Sequence, residues 1–325
     1  MKKTIGAFIA LLALMGLFAP AAAQDFPTRQ MTMVIPFAAG GPTDPLGRVI
    51  AQRMGDILGQ TVIIENIGGA GGMAGGKKVA DATPDGYIFL LGTVGTQAQG
   101  QTLYAHPLYN AVTDFTPVGL IADVPIVLIA RKDLPANNLK EFVAYAKENQ
   151  AKMQYGSAGA GSATHLGCVV VDTAMGTKIV HVPYKGTGPA MQDLIAGRID
   201  FLCEVISTAK PQIDGGTVKP IAIMTKTRSP VEPNLATSLE QGFDVQAYTW
   251  NALFLPKGAP DAVVKKLNGA MVEAMKTPAV RSKLEGFGAQ VASDDRATPA
   301  YLAEFVKCEI VKWAAPIKAS GVQVN

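Results

Sequence analysis

The sequence predicts an α/β protein of two lobes, joined by two crossing strands, with a cleft between them. Three observations predict it. Apolar, β-branched runs alternate with helical patterns in two successive sets, the signature of parallel sheets covered by helices. Two long apolar strands, near 118–130 and 247–256, flank the second set and are long enough to belong to two sheets at once. Three strand-to-helix joints are rich in glycine and small hydroxyl residues, and in parallel α/β sheets such joints lie where ligands bind.

The elements follow in order. MTMVIPF (31–37) is a strand bounded by Gly40, Gly41 and Pro42, and a helix over 45–58 takes Thr43 or Asp44 as its cap. TVIIE (61–65) is a short buried strand, 67–76 is a glycine-rich loop with a helix to 82 after it, and YIFLLGT (87–93) is a third strand. The second set starts at VPIVLIARKD (124–133), followed by a helix over 139–148 and a strand over 153–158. A helix over 162–174, a strand over 178–184, a helix over 188–196 and strands over 198–205 and 218–225 complete it. YTWNALFLP (248–256) crosses back, and helices over 260–275, 278–285 and 299–314 close the chain. Lobe 1 is then residues 25–123 plus 247–325, and lobe 2 is 124–246, an arrangement that makes a hinge.

The chain begins MKKTIGAFIALLALMGLFAPAAAQDFP. Lys2 and Lys3, the apolar run from Ile5 to Phe18, and Ala21-Ala22-Ala23 have the order of a secretory signal peptide cleaved after Ala23. The apolar run is short for a membrane span. Without residues 1–23 the charges nearly cancel, and no basic block or aromatic-basic interleaving suggests nucleic acid as a partner. Export to an oxidising compartment allows one disulfide among Cys168, Cys203 and Cys308. Cys168–Cys203 is the expected pair, since both fall in one half of the chain and close a moderate loop. Cys308 then reads as a small buried hydrophobe in a helical pattern. The three cysteines and three histidines have no metal-ligand spacing, and no cofactor motif is present.

The three loops are PFAAGGPTDP (36–45), GSAGAGSATH (156–165) and PYKGTGPAM (183–191). Each puts glycine and hydroxyl side chains just before a helix, whose first N–H groups lack intrahelical partners and whose dipole favours an anion. The nucleotide-binding spacings are absent: Lys78 follows Lys77 where a phosphate loop needs Ser or Thr, and Gly159-x-Gly161 continues into Ser162, Ala163 and Thr164. A secreted serine hydrolase is the enzymatic alternative, but Gly156-Ser157-Ala158-Gly159 lacks the nucleophile-elbow spacing, and Ser157, Ser162 and His165 lie close in sequence for a triad. His165 has two readings, a first-turn residue that bonds the loop or ligand and a packing histidine. A carboxylate fits best, being planar and able to accept several N–H and hydroxyl donors.

At these residues the chain resembles the substrate-binding proteins of tripartite tricarboxylate transporters, the Bug proteins. The resemblance rests on IPFAAGGPTD (35–44), VIIENIGGAGGMAGG (62–76), ATPDGYIFLLGTVGT (82–96), YGSAGAGSATHL (155–166), HVPYKGTGPAMQDLIAGRID (181–200) and EIVKWAAPIKASGV (309–322). It implies a type II periplasmic binding fold, capture of a small carboxylate, delivery to membrane permease subunits, lone operation as a monomer, and no catalytic activity. Docking on a membrane sensor kinase is a related use. The implied first-lobe pincer is Phe37, Ala39, Gly40, Gly41, Pro42, Thr43 and Asp44, with Thr93, Gly95 and Thr96 nearby. The second is Ser157, Ala158, Gly159, Ala160, Gly161, Ser162, Thr164 and His165, with Pro183, Tyr184 and Gly186. Lys185 reads as a solvated charge, Trp250 as core, and Tyr248 as a residue of the cleft floor. Cys203-Glu204 departs from the family pattern of an apolar or aromatic residue followed by Asp, so Glu204 is expected to shape the ligand's charge or to bind an amine or hydroxyl.

Overall fold

The computed structural model describes residues 26–324, so the expected signal peptide lies outside the described residues. A first sheet is built on strand β1 (Met31–Ile35), which pairs in parallel with β2 (Val62–Asn66) and β3 (Ile88–Thr93). Its remaining strands are antiparallel: β9 (Tyr248–Pro256) lies between β3 and the long β4 (Phe115–Arg131), and the short β10 (Gln290–Val291) borders β4. Beyond Pro125 the same β4 pairs with β7 (Phe201–Val205) and β8 (Val218–Ile223). Strands β5 (Gln154–Ser157) and β6 (Val180–Pro183) extend that second sheet in parallel from β7.

One strand therefore crosses between the sheets, as the length of its apolar run predicts. The second crossing is narrower than expected. Strand β9 pairs only within the first sheet, and the return is made just before it, where Ala247 N–H donates to Met224 O and Ala247 O accepts from Ile126 N–H. The crossing is anchored from the side by Glu309, whose carboxylate accepts from Tyr248 Oη at 2.7 Å, Trp250 Nε1 at 3.1 Å and Trp313 Nε1 at 3.2 Å. Trp250 is core, as expected. Tyr248 points to this back side of the crossing rather than to the floor of the cleft.

Helices cover both sheets. Helix α1 (Thr43–Leu58) buries Leu46, Ile50 and Met54 at helical spacing and ends at Gly59, whose φ of 69° lets its N–H reach Gly55 O. It starts two residues earlier than the apolar pattern suggests: Pro42 is the cap position, and neither Thr43 nor Asp44 caps it. Helix α2 (Met73–Ala80) follows the glycine-rich loop. Residues Gly95–Gln99 form a turn of π-helix that continues into a short helix α3 (Gly100–Leu103). This segment, TVGTQAQGQTL, carries no apolar period and was not expected to be helical. In the second half, helices α4 (Leu139–Asn149), α5 (Ala163–Met175), α6 (Thr187–Ile195) and α7 (Ile206–Asp214) alternate with the strands. Helix α7 escaped the pattern reading because Pro211 interrupts it and few of its residues are apolar.

Helices α8 (Asp261–Lys276), α9 (Pro278–Gly286) and α10 (Pro299–Ser320) close the chain, the last running six residues past its expected end. Cys308 on α10 corrects an expectation: it is exposed, because Val306 and Glu309 take the inward face. The expected Cys168–Cys203 disulfide is present and ties α5 to β7, with Cα atoms 5.3 Å apart. No described helix is long and apolar enough to cross a membrane.

Candidate functional site

The two halves meet at their loops. Ala38 N–H donates to Lys185 O at 3.1 Å, and Tyr104 Oη donates to Ala160 O at 2.7 Å. Behind these contacts a narrow, partly open cavity lies between the sheets. Helix N-termini converge on it from four directions. Pro42 and Thr43 bring the start of α1, Ser162, Ala163 and Thr164 that of α5, Thr187 that of α6, and Val205 with Ser207 that of α7. Phe37, Thr93, Val124, Ala158, Thr249 and Asn251 complete the wall. None of these residues is charged. An anion here would be held by first-turn N–H groups, helix dipoles and hydroxyls.

Of the residues expected at the site, Phe37, Pro42, Thr43, Thr93, Ala158, Ser162 and Thr164 line the cavity. The others build its frame. Ala39 and Gly40 are exposed at the rim, and Gly41 lies against Thr187. Asp44 accepts from Gly40 N–H, Arg48 Nε and Asn66 Nδ2. Its burial would raise its pKa, but these bonds prevail and hold the carboxyl below the ordinary value. Its charge therefore fixes the loop and does not confront the ligand. Thr96 exchanges hydrogen bonds with Thr93, while Gly95 and Gly161 pack across the cleft against the start of α5 and Tyr104 respectively. Gly159 and Ala160 meet Gly71, and Gly186 meets Ala38. Pro183 is exposed and Tyr184 donates to Asp193. Lys185 is exposed, as expected.

The hydroxyls of the second-lobe loop are committed to the loop itself. Ser162 Oγ donates to Gly159 O at 2.7 Å and accepts from His165 N–H, so it caps α5. Thr164 Oγ1 accepts from Ala158 N–H and lies 3.1 Å from Ser162 Oγ, whose proton is already placed. What this loop offers the cavity is therefore main-chain N–H. Thr187, within the third loop but in neither expected pincer, also lines the cavity, and four lining residues beyond the predicted loops carry polar side chains or helix starts: Val205, Ser207, Thr249 and Asn251. Ser207 Oγ and Asn251 Nδ2 are buried with no hydrogen-bond partner. Asn251 had one signal in the sequence, a lone amide inside the apolar strand YTWNALFLP. Ser207 had none, since its helix was not legible.

The histidines do not form a hydrolase triad. Ser157 Oγ is 2.7 Å from Nε2 of His181, not of His165, and accepts from Gly159 N–H. Ser157 is fully buried, and among the described residues no carboxylate is hydrogen-bonded to His181. His165 accepts from Gly161 N–H through Nδ1 and stacks on His181 at 4.1 Å, with Tyr155 beside both. The packing reading of His165 is thus what its surroundings support. Burial pushes both imidazoles below the ordinary histidine value, and for His165 the neighbouring His181 adds to this. Histidines depressed in the folded state bind protons preferentially when unfolded, so stability is full above about pH 6.5 and falls as the pH drops. Melting at pH 6 and pH 5 is expected to differ by about 1–2 kcal/mol from this pair, and His181→Gln should flatten that slope. An unchanged slope in the variant would remove the pair from the account.

A family model described as the tripartite tricarboxylate transporter family receptor matches residues 46–322. A relative from Agrobacterium vitis, the UPF0065 protein in the TAR-I ttuE-ttuC' intergenic region, is 41% identical over 303 residues, covering 93% of this chain and 87% of that protein. The solved structure of the periplasmic binding protein BugD has 40% sequence identity and a TM-score of 0.89, covering 92% of this chain and 99% of that one. MatC from Rhodopseudomonas palustris, solved with bound malate, has 38% identity and a TM-score of 0.88, covering 90% of this chain and 100% of that one. The two-lobed α/β fold expected from the sequence is the fold of these binding proteins. The hydrolase alternative is set aside, because the chain matches receptors and binding proteins rather than enzymes.

Proposed function

This chain belongs to the tripartite tricarboxylate transporter family of receptors, and from that premise we propose that it captures a small organic acid, a dicarboxylate, and delivers it to membrane permease subunits. The observation that carries the reading is the convergence of four helix N-termini on one uncharged cavity between the sheets. Main-chain N–H groups can hold a carboxylate at each side without a fixed cation, each charge-assisted bond contributing about 1.5–3 kcal/mol before ordering and desolvation. The malate bound to MatC supports a ligand with two carboxylates. The lobes in this reading are residues 25–123 with 247–325, and 124–246, hinged at the two crossings. The protein works as an exported periplasmic monomer after cleavage at Ala23, with the closed lobes as the form that docks on the permease.

A thermal-shift panel of mono-, di- and tricarboxylates on refolded, ligand-stripped protein tests this. A ligand at about 100 times its dissociation constant should stabilise the protein by about 2.7 kcal/mol. Stabilisation by one class of diacid supports the reading. Stabilisation by sugars or simple amines, with none by any carboxylate, contradicts it.

A further inference from the structure

Glu204 is fully buried at the penultimate residue of β7, two residues before α7 begins. Its Oε1 receives three donors: Val205 N–H at 2.8 Å, Thr208 Oγ1 at 2.9 Å and Thr187 Oγ1 at 3.2 Å. An oxygen so surrounded carries no proton, whichever state the carboxyl is in, since its other oxygen, Oε2, has no partner and is where a proton would reside. The Thr187 hydroxyl must therefore point its hydrogen at Glu204. Thr187 also lines the cavity, at the first residue of α6 and against Gly41 of the opposite loop. Toward the ligand it can show only lone pairs.

This makes Thr187 unlike its neighbours. The first-turn N–H groups are donors, which suits carboxylate oxygens. An oxygen of a carboxylate placed against Thr187 would face lone pairs and be repelled, whereas a hydroxyl or ammonium group would find an acceptor. Ser207 Oγ and Asn251 Nδ2, both unpartnered, stand in the same wall and can receive or complete the bonding of a polar substituent. Resting on the carboxylate reading above, we infer that Glu204 is a positioning residue that fixes Thr187 as an acceptor, and that the pair selects dicarboxylates bearing a hydroxyl or amino substituent over the plain diacids of the same length. A buried polar group built to meet a substituent discriminates against the analogue lacking it, because it is then left unpaired.

The test is calorimetric titration of stripped protein with succinate, malate and aspartate, and with glutarate, 2-hydroxyglutarate and glutamate. Wild type should bind a hydroxy or amino acid of one length at least about tenfold more tightly than the plain diacid. The malate and aspartate arms, or their longer counterparts, identify which substituent is used. Thr187→Val should erase the preference, weakening the substituted acid at least about tenfold more than the plain diacid. Glu204→Gln, which keeps an oxygen for the three donors, should retain the preference, and Glu204→Leu, which frees the Thr187 hydrogen, should lose it. Plain diacids binding wild type as tightly as the substituted ones, or Thr187→Val weakening all ligands alike, would overturn the inference and leave the carboxylate reading standing. If no diacid binds wild type, that reading and this inference fall together.

Discussion

Gly68→Ala is expected to weaken ligand binding by about a hundredfold while leaving the unliganded protein as stable as wild type. Gly68 lies in the loop after β2, and an alanine Cβ there would sit 2.3 Å from the carbonyl oxygen of Lys185, in the opposite half. That oxygen is the acceptor of the Ala38 N–H bond across the cleft, so the methyl group strikes one of the closures that hold the halves together. The clash exists only when the loops meet, and moving them apart relieves it. Disfavouring the closed arrangement by about 2.7 kcal/mol lowers the apparent affinity by about a hundredfold. Gly68 does not occupy the left-handed region of backbone space, so the substitution adds no dihedral strain, and within its own half the new methyl comes nearest to Ala38 N, at 3.3 Å, a far milder approach than that to Lys185 O. Gly269→Ala is the control, since its added methyl meets no heavy atom within 4 Å. Calorimetric titration beside thermal melting separates the two quantities. Equal affinity in Gly68→Ala and wild type would mean that the ligand does not require these loops to meet.

The second large effect concerns the disulfide. Cys168 and Cys203 are 35 residues apart, and cross-linking a loop of that size restricts the unfolded chain by about 4 kcal/mol in the loop-entropy model. Both residues are fully buried, and Gly167 packs on the Cys203 Cβ, so the bridge also fixes how α5 lies on β7. Helix α5 brings Ser162, Ala163 and Thr164 to the cavity. The double variant Cys168→Ala, Cys203→Ala is expected to melt about 6 °C lower than wild type, given an unfolding entropy of about 2.1 cal/mol/K per residue. Ligand affinity should fall less than stability, because the helix remains packed by its other buried residues. Identical melting of the oxidised, reduced and doubly substituted proteins would show that the bridge contributes nothing to stability.

Much of the architecture was legible because its cause is local. The runs at 31–37, 87–93 and 248–256 are apolar over strand lengths, and the glycine-rich joints announce sharp turns into helices. The crossing at 118–130 was legible from its length alone. What was hidden depends on partners far away in the chain. Ser157 finds His181 across the β5–β6 pairing, while pattern reading offered only His165 nearby. Asn251 looks like an oddity in a core strand until the fold makes it part of the cavity wall. Asp44 reads as part of an anion pocket, yet Arg48 and Asn66 commit it to the loop. The significance of Glu204 was partly visible as a departure from its family's pattern. Its effect on Thr187, seventeen residues earlier, needed the geometry.

The central claim is that two loop-bearing halves close on a small carboxylate held by helix N-termini. Solution X-ray scattering of stripped and ligand-saturated protein tests it most directly, using the diacid that gives the largest thermal shift. The saturated protein should give the profile calculated from the closed arrangement described above, and the stripped protein a larger radius of gyration, with Gly68→Ala remaining extended at ligand concentrations that compact wild type. Identical profiles with and without a ligand that demonstrably binds would contradict the claim, because capture would then occur in a cavity that neither opens nor closes.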